Sequence, residues 1–357
     1  TGLMGLTHAP WHWSLNKGEQ HLSHILRDAG YHTALFGLQH EAADVQTLGF
    51  EALHAQRGDG GGRCTADEIA RTTAEFLIGE VRAPFYAQVG FFETHRPFDF
   101  GDVTPDDSKG VFVPPFLVEN ETVVKDLAHY QGALRKADEA VGIITKGLAE
   151  SGLADNTIIV FTVDHGIPYP RAKGHVYDPG LSIPLIVRWP NGGIQDGKTC
   201  DWLLSNVDFL PTLLDLIGEP IPENVQGVSF SGAFGEGKPP RDAIFGFMQS
   251  DELRCIRTQH HKLIRNFEPR RLFATPVDVS VSVSSRWPNT AYLVTSEECP
   301  AVQLFDLQKD PNEFHNVAED PNCADVRAEL DRRLWAWLEE VGDPILKGSV
   351  PTPYYRR

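Results

Sequence analysis

Apolar residues recur along this chain at two spacings, and segments with one spacing alternate with segments that have the other. In four segments the apolar positions recur every three to four residues, which predicts amphipathic helices: residues 22–29, 67–78, 122–151 and 208–217. Four other segments are short continuous apolar runs typical of buried strands: residues 33–36, 84–92, 157–162 and 184–189. This alternation predicts an α/β fold with a doubly wound, mostly parallel sheet flanked by helices.

The run at residues 157–162 (TIIVFT) is the most strand-like of these segments. It is continuous and rich in β-branched residues, so we expect a central parallel strand buried on both faces. It leads directly into Val163-Asp164-His165-Gly166. Polar residues placed after strand ends predict a functional site along the carboxyl edge of the sheet.

The pattern changes after a stretch rich in Gly and Pro at residues 232–240. Short strands are predicted over 243–248, 253–258, 262–266 and 303–307, followed by a helix over 324–341. We therefore expect two domains: an α/β domain over 1–240 and a smaller C-terminal α+β subdomain over 241–357. The subdomain should contain a short antiparallel sheet and a terminal helix.

Charge narrows the classes of partner. The 357 residues include 32 Lys and Arg against 49 Asp and Glu, which gives a net charge of −17. The long-range field therefore repels nucleic acid and anionic membrane surfaces, and no apolar run is long enough to cross a bilayer. Any anionic ligand must be held by a local positive site.

The ends of three predicted strands carry side chains suited to catalysis or metal binding. Asp164 and His165 share a turn opened by Gly166, where a carboxylate and an imidazole can both face a cation. The alternative is an Asp that caps the turn beside a packed histidine. His40 follows the strand at 33–36 and His95 follows the strand at 84–92, where both could exchange protons near neutral pH; either could instead be structural.

Lys173 lies in the loop after this turn, nine residues beyond Asp164. Its ammonium could hold an anion against a bound cation, because a compact charge does this well. The alternative is a solvated surface lysine. Four histidines near the N-terminus are expected at the surface: His8, His12, His21 and His24. The five cysteines show no CxxC or CxH spacing.

Several motifs in a fixed order resemble the sulfatase family of the alkaline phosphatase superfamily over nearly the whole chain. They are LRDAGYHTALFG with His40, PFYAQVGFFETHRPF with His95, IIVFTVDHG with Asp164 and His165, KGHVYDPGLSIPLIVRWP with Lys173, NVDFLPTLLDLIG, and LFDLQKDPNEFHNVAED. The segments FFETHRPF and DHGIPYP most resemble the heparan N-sulfatase-like branch, whose substrates are sulfated glycosaminoglycans.

The resemblance implies a hydrolase that cleaves sulfate esters or N-sulfate from a sulfated saccharide. In the family, a formylglycine made from a C-x-P-S-R motif attacks sulfur while one divalent metal ion, usually calcium, holds the sulfate. By position, Asp164 and His165 would be metal ligands, and Lys173 with His95 would bind sulfate and protonate the leaving group. His40 would deprotonate the formylglycine hydrate. The family tolerates a histidine at this position together with calcium, so the resemblance favours calcium. Zinc and manganese are alternatives because imidazole suits Zn²⁺ or Mn²⁺ better than Ca²⁺.

The sequence departs from this pattern at three places. It contains no C-x-P-S-R motif, Leu38 stands where the family has a lysine, and Ser182 stands near the place of an arginine. Thr1-Gly2 matches the end of the nucleophile motif, so we expect the nucleophile, the first strand and a first pair of metal ligands upstream of residue 1. The family also implies periplasmic, secreted or lysosomal-type export. Two alternatives are a phosphodiesterase or phosphonate monoester hydrolase of the same superfamily and a non-catalytic saccharide-binding homologue.

Overall fold

The computed structural model describes residues 15, 18–55, 63–248, 253–267, 276–285 and 299–348. Its helices are α1 (Leu22–Asp28), α2 (Ala66–Gly79), α3 (Glu121–Glu150), α4 (Asp178–Leu181), α5 (Phe209–Ile217), α6 (Val277–Ser280) and α7 (Ala324–Glu340). Its strands are β1 (His32–Gly37), β2 (Ala52–His54), β3 (Phe85–Gly90), β4 (Ile159–Thr162), β5 (Leu185–Arg188), β6 (Ala243–Met248), β7 (Leu253–Thr258), β8 (His261–Asn266) and β9 (Val302–Asp306).

A three-stranded parallel sheet in the order β2-β1-β3 forms the centre of the α/β part. Ala34 and Phe36 of β1 are fully buried and pack on one face against Ile69 of α2 and Leu148 of α3. On the opposite face, Tyr86 of β3 packs against a cluster from α1 and α5. Helices therefore cover both faces of the parallel sheet, as the alternating pattern predicts.

The expected central parallel strand is wrong in its partner and in its burial. Strand β4 pairs antiparallel with β5, with Val160 opposite Val187. Its residues are partly buried and Thr162 is exposed. Within the described residues β4 pairs with no strand of the three-stranded sheet. An apolar run reports hydrophobicity, whereas strand direction depends on the partner that packs beside it.

The C-terminal part contains the predicted antiparallel sheet, in the order β6-β7-β8-β9. One face packs on α7 through Leu330, Leu334 and Leu338. The other face packs on Val176 and Tyr177, which follow Lys173 in the chain. The sheet therefore supports the loop that carries a candidate site residue.

The structure corrects one expectation near the N-terminus, whereas His8 and His12 lie outside the described residues. His21 is partly buried, and its ring accepts a hydrogen bond from the Ser23 amide at the start of α1. A helix cap satisfies an otherwise unpaired amide, which is why this imidazole packs against the protein. Burial is the main factor that lowers the pKa of His21, to about 4.

Candidate active site

Strands β1 and β3 end side by side and deliver His40 and His95 to the same edge of the sheet. Gly37 closes β1 with a φ of 71°, and the Leu38 amide donates a 2.8 Å hydrogen bond to the Gly90 carbonyl. A Cβ at Gly37 would lie 2.4 Å from that carbonyl oxygen, so the close approach requires glycine.

The start of α2 lies at this same edge. Thr65 caps α2 together with Glu68, and the Ala66 amide donates a 3.0 Å hydrogen bond to Glu93 Oε1 in the segment after β3. Arg63, just before the cap, places its guanidinium carbon 4.0 Å from the centre of the Phe92 ring.

Lys173, His95 and Asp278 form a contact group at the centre of this edge. Lys173 Nζ lies 3.2 Å from His95 Nε2 and donates a 2.8 Å hydrogen bond to Asp278 Oδ2. His95 Nε2 is 3.6 Å from the same carboxylate oxygen. The lysine side chain is 14% exposed and the carboxylate 20%, so the pair is partly shielded from water. The loop residue Lys173 is therefore not a solvated surface lysine.

The tautomer of His95 follows from its second contact. Its Nδ1 lies 2.5 Å from the Arg96 carbonyl oxygen, which can only accept, so Nδ1 carries a proton. Nε2 of the neutral ring then accepts from Lys173. Partial burial is the main factor that lowers the pKa of His95, and the Lys173 cation adds to this effect while Asp278 opposes it. The ring is therefore neutral near pH 7.

Arg96 connects the segments around this group through hydrogen bonds. It donates two hydrogen bonds of 2.9 and 2.7 Å to Asp126 of α3 and one of 3.0 Å to the Pro168 carbonyl. Ser284, on the short segment that also carries Asp278, donates to the same carboxylate at 2.5 Å. Bidentate Arg–carboxylate pairs of this kind fix orientation as well as distance.

The loop between β4 and α4 is packed into the protein. Tyr169 and Ala172 are fully buried, and the Lys173 amide donates a hydrogen bond to the Ile167 carbonyl. Arg171 is 5% exposed and donates to the carbonyls of Asn312 and Glu313 in the C-terminal part. The loop backbone around Lys173 is therefore held in place, and the bond to Asp278 orients the ammonium.

Asp164 and His165 lie at the exposed end of β4. The His165 amide donates a 2.9 Å hydrogen bond to Asp164 Oδ1, and His165 Nδ1 donates to the Gly166 carbonyl at 2.7 Å. Nε2 of the same ring lies 3.5 Å from Asp164 Oδ2. The imidazole and the carboxylate thus present acceptor atoms to a common point.

This turn fits two ligands of a divalent cation. A histidine whose second nitrogen is held by a carbonyl is the usual form of a metal-binding imidazole, and the 84% exposed Asp164 carboxylate is accessible to an ion. In the part of the chain that the structure describes, no group of three or more His, Cys, Asp or Glu side chains is arranged to hold a metal. The described residues therefore supply a pair of donors.

His40 lies within electrostatic range of the other candidates. Partial desolvation of its ring is the main factor that lowers the pKa of His40. The Asp164 carboxylate opposes this effect, whereas His95, Arg63 and Lys173 lower the pKa further. The structure thus brings His40, His95, Lys173 and Asp164 to one edge, with His165 adjacent to Asp164.

Sequence reasoning missed Asp278 and Arg63. Asp278 lies in a segment without local signals, and its contact with Lys173 spans 105 positions of sequence. Arg63 could have been found, because Thr65 and Glu68 form a capping box that predicts the start of a helix. In a parallel α/β sheet, that helix start faces the carboxyl edge.

No helix in the described ranges combines the length and apolar composition needed to span a bilayer.

Two family profiles match the chain. The Sulfatase profile matches residues 2–219, and the profile named N-sulphoglucosamine sulphohydrolase, C-terminal, matches residues 170–274. The second match begins before Lys173 and extends into the C-terminal sheet.

Two curated relatives show how much of the chain is shared. Human N-sulphoglucosamine sulphohydrolase is 25% identical over 397 aligned positions, which cover 96% of this chain and 78% of the human protein. An ulvan-active sulfatase of Formosa agariphila is 34% identical over 252 residues, 65% of this chain and 41% of that protein. The chain thus spans less than half the length of the ulvan-active sulfatase.

Solved structures share the fold at low sequence identity. A putative sulfatase from Bacteroides fragilis superposes with a TM-score of 0.70 at 22% identity, covering 95% of this chain and 81% of that one. A protein solved in complex with its substrate D-glucosamine-2-N,6-O-disulfate gives a TM-score of 0.69 at 19% identity, covering 92% and 84%. The Sulfatase profile alone spans more than half of the chain, so the chain belongs to the sulfatase family.

Proposed function

We propose that this protein is a hydrolase that cleaves sulfate esters or N-sulfate from a sulfated saccharide. The observation that carries the proposal is the contact between Lys173 and His95 at a strand edge shared with the Asp164–His165 turn. This arrangement combines an ammonium group, a neutral imidazole and two metal-binding donors, which are the groups that a developing sulfate anion requires.

Asp164 and His165 are the proposed metal ligands. Members of the sulfatase family generally use a divalent metal ion and a formylglycine residue. When bound, the metal neutralises charge on the sulfate oxygens. We favour Ca²⁺, with Zn²⁺ and Mn²⁺ as alternatives because one donor is an imidazole.

Lys173 and His95 are proposed to act on the leaving group. The ammonium donates a proton toward His95 Nε2, so the two groups share one proton that can pass to the departing oxygen or nitrogen. His40, neutral on the same edge, is proposed as the base that deprotonates the formylglycine hydrate. Glycine turns and buried contacts hold these groups in place, which limits their reorganisation during the reaction.

A sulfated saccharide is the proposed substrate class. Names of the relatives support it, since they include an N-sulphoglucosamine sulphohydrolase and an ulvan-active sulfatase. The C-terminal profile match favours an N-sulfated glucosamine within this class.

A phosphonate monoester hydrolase of Agrobacterium radiobacter shares the fold, with a TM-score of 0.66 at 21% identity. The fold alone is therefore compatible with phosphorus chemistry, and the assay must include a phosphonate ester. The replacement of the expected lysine by Leu38 favours a second alternative, a homologue that binds saccharides without turnover.

The test measures inorganic sulfate released by the full-length protein from glucosamine N-sulfate and from 4-nitrophenyl sulfate. We expect turnover that falls at least about 100-fold in Asp164→Ala, together with loss of bound metal in elemental analysis. Asp155→Ala is the matched control, because Asp155 precedes β4 and its carboxylate is 76% exposed. Release from a phosphonate ester but not from either sulfate, or saccharide binding without turnover, would contradict the proposal.

Export to a periplasmic, secreted or lysosomal-type compartment is part of the same proposal, and the family resemblance is its basis. Cell fractionation with an antibody against the native protein tests it. Recovery in the cytosolic fraction would refute it.

A further inference from the structure

Arg63 occupies a defined position beside the candidate site. Its guanidinium carbon lies 4.0 Å from the centre of the Phe92 ring. Phe92 is 4% exposed, and its ring centre is 5.0 Å from that of His95. Arg63 itself is exposed. The buried ring therefore holds an exposed cation beside a catalytic candidate, a stacking geometry that favours arginine.

The charge of Arg63 is available for a ligand. Among the described residues, no carboxylate forms an ion pair with it, whereas Lys173 is paired with Asp278 and Arg96 with Asp126. Leu38 and Gln39, which lead from β1 to the site, carry no charge. Arg63 is also close enough to lower the pKa of both His40 and His95, although burial is the larger cause at each ring.

A net charge of −17 repels polyanions from the rest of the surface, so an anionic chain needs local cations to dock. An exposed guanidinium presents a planar fork that matches a carboxylate or a sulfate with two parallel hydrogen bonds.

We propose that Arg63 binds a second anionic group of the substrate, a carboxylate or a sulfate on the saccharide, while the reacting sulfate lies at Lys173. Arg63 would thereby select polyanionic over singly charged sugars. This inference rests on the proposed function and specifies its substrate further.

The test compares Arg63→Gln, Arg63→Lys and Arg82→Gln in the full-length protein. Arg82 is the matched control, because it is exposed and precedes β3 at the opposite end of the strand. The three substrates are glucosamine N-sulfate, glucosamine N,6-disulfate and an N-sulfated glucosamine linked to a uronic acid. The last two distinguish a second sulfate from a carboxylate as the group that Arg63 binds.

We expect Arg63→Gln to raise KM about 10-fold or more for at least one doubly anionic substrate, as loss of one charged hydrogen-bonding partner implies. The KM for glucosamine N-sulfate should rise less than the KM for that doubly anionic substrate, and Arg63→Lys should retain part of the affinity. Arg82→Gln should leave every value unchanged. An equal loss on all three substrates, or no loss, would overturn the inference.

A direct binding measurement distinguishes failure of this inference from failure of the proposed function. If the unmodified protein releases sulfate from none of the sugars, the proposed function fails. Calorimetric titration of the same sugars into the unmodified protein and Arg63→Gln then tests Arg63 alone. Weaker binding of the doubly anionic sugars to the variant supports the role of Arg63, and equal binding refutes it.

Discussion

Lys173 and Asp278 shift the pKa of His95 in opposite directions. The ammonium lies 3.2 Å from His95 Nε2 and favours the neutral ring, whereas the Asp278 carboxylate at 3.6 Å favours the protonated ring. Asp278 belongs to a segment held by Ser284 on Asp126, so its position is fixed independently of Lys173. The protonation state of one imidazole therefore depends on two residues from different loops.

We predict that Lys173→Met raises the pKa of His95 and that Asp278→Asn lowers it. Each substitution removes one of the two opposing charges while keeping a side chain of similar size. Titration of the His95 ring resonance by NMR measures both shifts. Lys146→Met, near the far end of α3 and 78% exposed, is the control that should leave the resonance unchanged. Shifts in the same direction in both variants would contradict the geometry.

At the scale of elements, the turn after β4 depends on a close backbone contact with α4. The Gly166 amide donates a 2.9 Å hydrogen bond to the Gly180 carbonyl, and a Cβ at Gly166 would lie 1.8 Å from the Pro179 carbonyl oxygen. The contact requires glycine because there is no room for a side chain. It fixes the backbone on which Asp164 and His165 lie.

We predict that Gly166→Ala lowers the free energy of unfolding by about 1–3 kcal/mol, the usual cost of overpacking, and weakens metal binding. Gly142→Ala is the control, and its stability should change in the opposite direction. Gly142 is exposed in α3, where an added Cβ meets nothing within 4 Å, so alanine should stabilise the helix by about 0.5–1 kcal/mol. Urea denaturation and calcium titration of both variants measure the effects. Equal stability of the two variants would refute the contact.

In the whole molecule, a buried ion network joins the C-terminal sheet to the start of α4, the helix that follows the Lys173 loop. Lys262 of β8 is fully buried, with Nζ 2.8 Å from Asp178 Oδ1 and 2.9 Å from Glu313 Oε1. Glu313 also accepts a 2.6 Å hydrogen bond from the Asp178 amide at the start of α4. Burial works against the charge of Lys262, but the two carboxylates raise its pKa. The motif DPNEFHN thus acts structurally, through Glu313.

We predict that Lys262→Met lowers the free energy of unfolding by about 3–5 kcal/mol, because Glu313 loses its buried cation and Asp178 keeps only the partly exposed Arg257. Lys309→Met, which removes an 85% exposed lysine paired with Asp306, should leave the denaturation midpoint unchanged. Urea denaturation followed by tryptophan fluorescence measures both variants. If Lys262→Met does not fold, the double variant Lys262→Met with Glu313→Gln should recover part of the stability. No recovery, or no loss in Lys262→Met, would contradict the network.

The contacts between the two predicted domains indicate how the chain is organised. We propose a boundary between residues 240 and 241, because strand order changes there from the α/β sheets to the antiparallel sheet. Val176 and Tyr177 share a core with β7 and β8, so the proposed domains pack against each other through the segment that follows Lys173. Separate folding of the two parts is therefore not expected.

The sequence pattern was enough to predict most of the helices and strands and the sheet edge at which the candidate residues meet. The predicted helix at 67–78 is Ala66–Gly79, and the predicted strand at 84–92 is Phe85–Gly90. Helix and strand periodicity are local properties, and parallel strands present their carboxyl ends together, so His40 and His95 could be placed on one edge from the pattern.

Three features depend on long-range packing: the partner of β4, the contact of Asp278 with Lys173 and the position of Arg63 over Phe92. An apolar run specifies burial but not which strand lies beside it. Lys173 and Asp278 are 105 positions apart, and their contact depends on how loops pack rather than on any spacing in the sequence. Charges meet at this site because the surrounding core fixes those loops, and no local pattern encodes that packing.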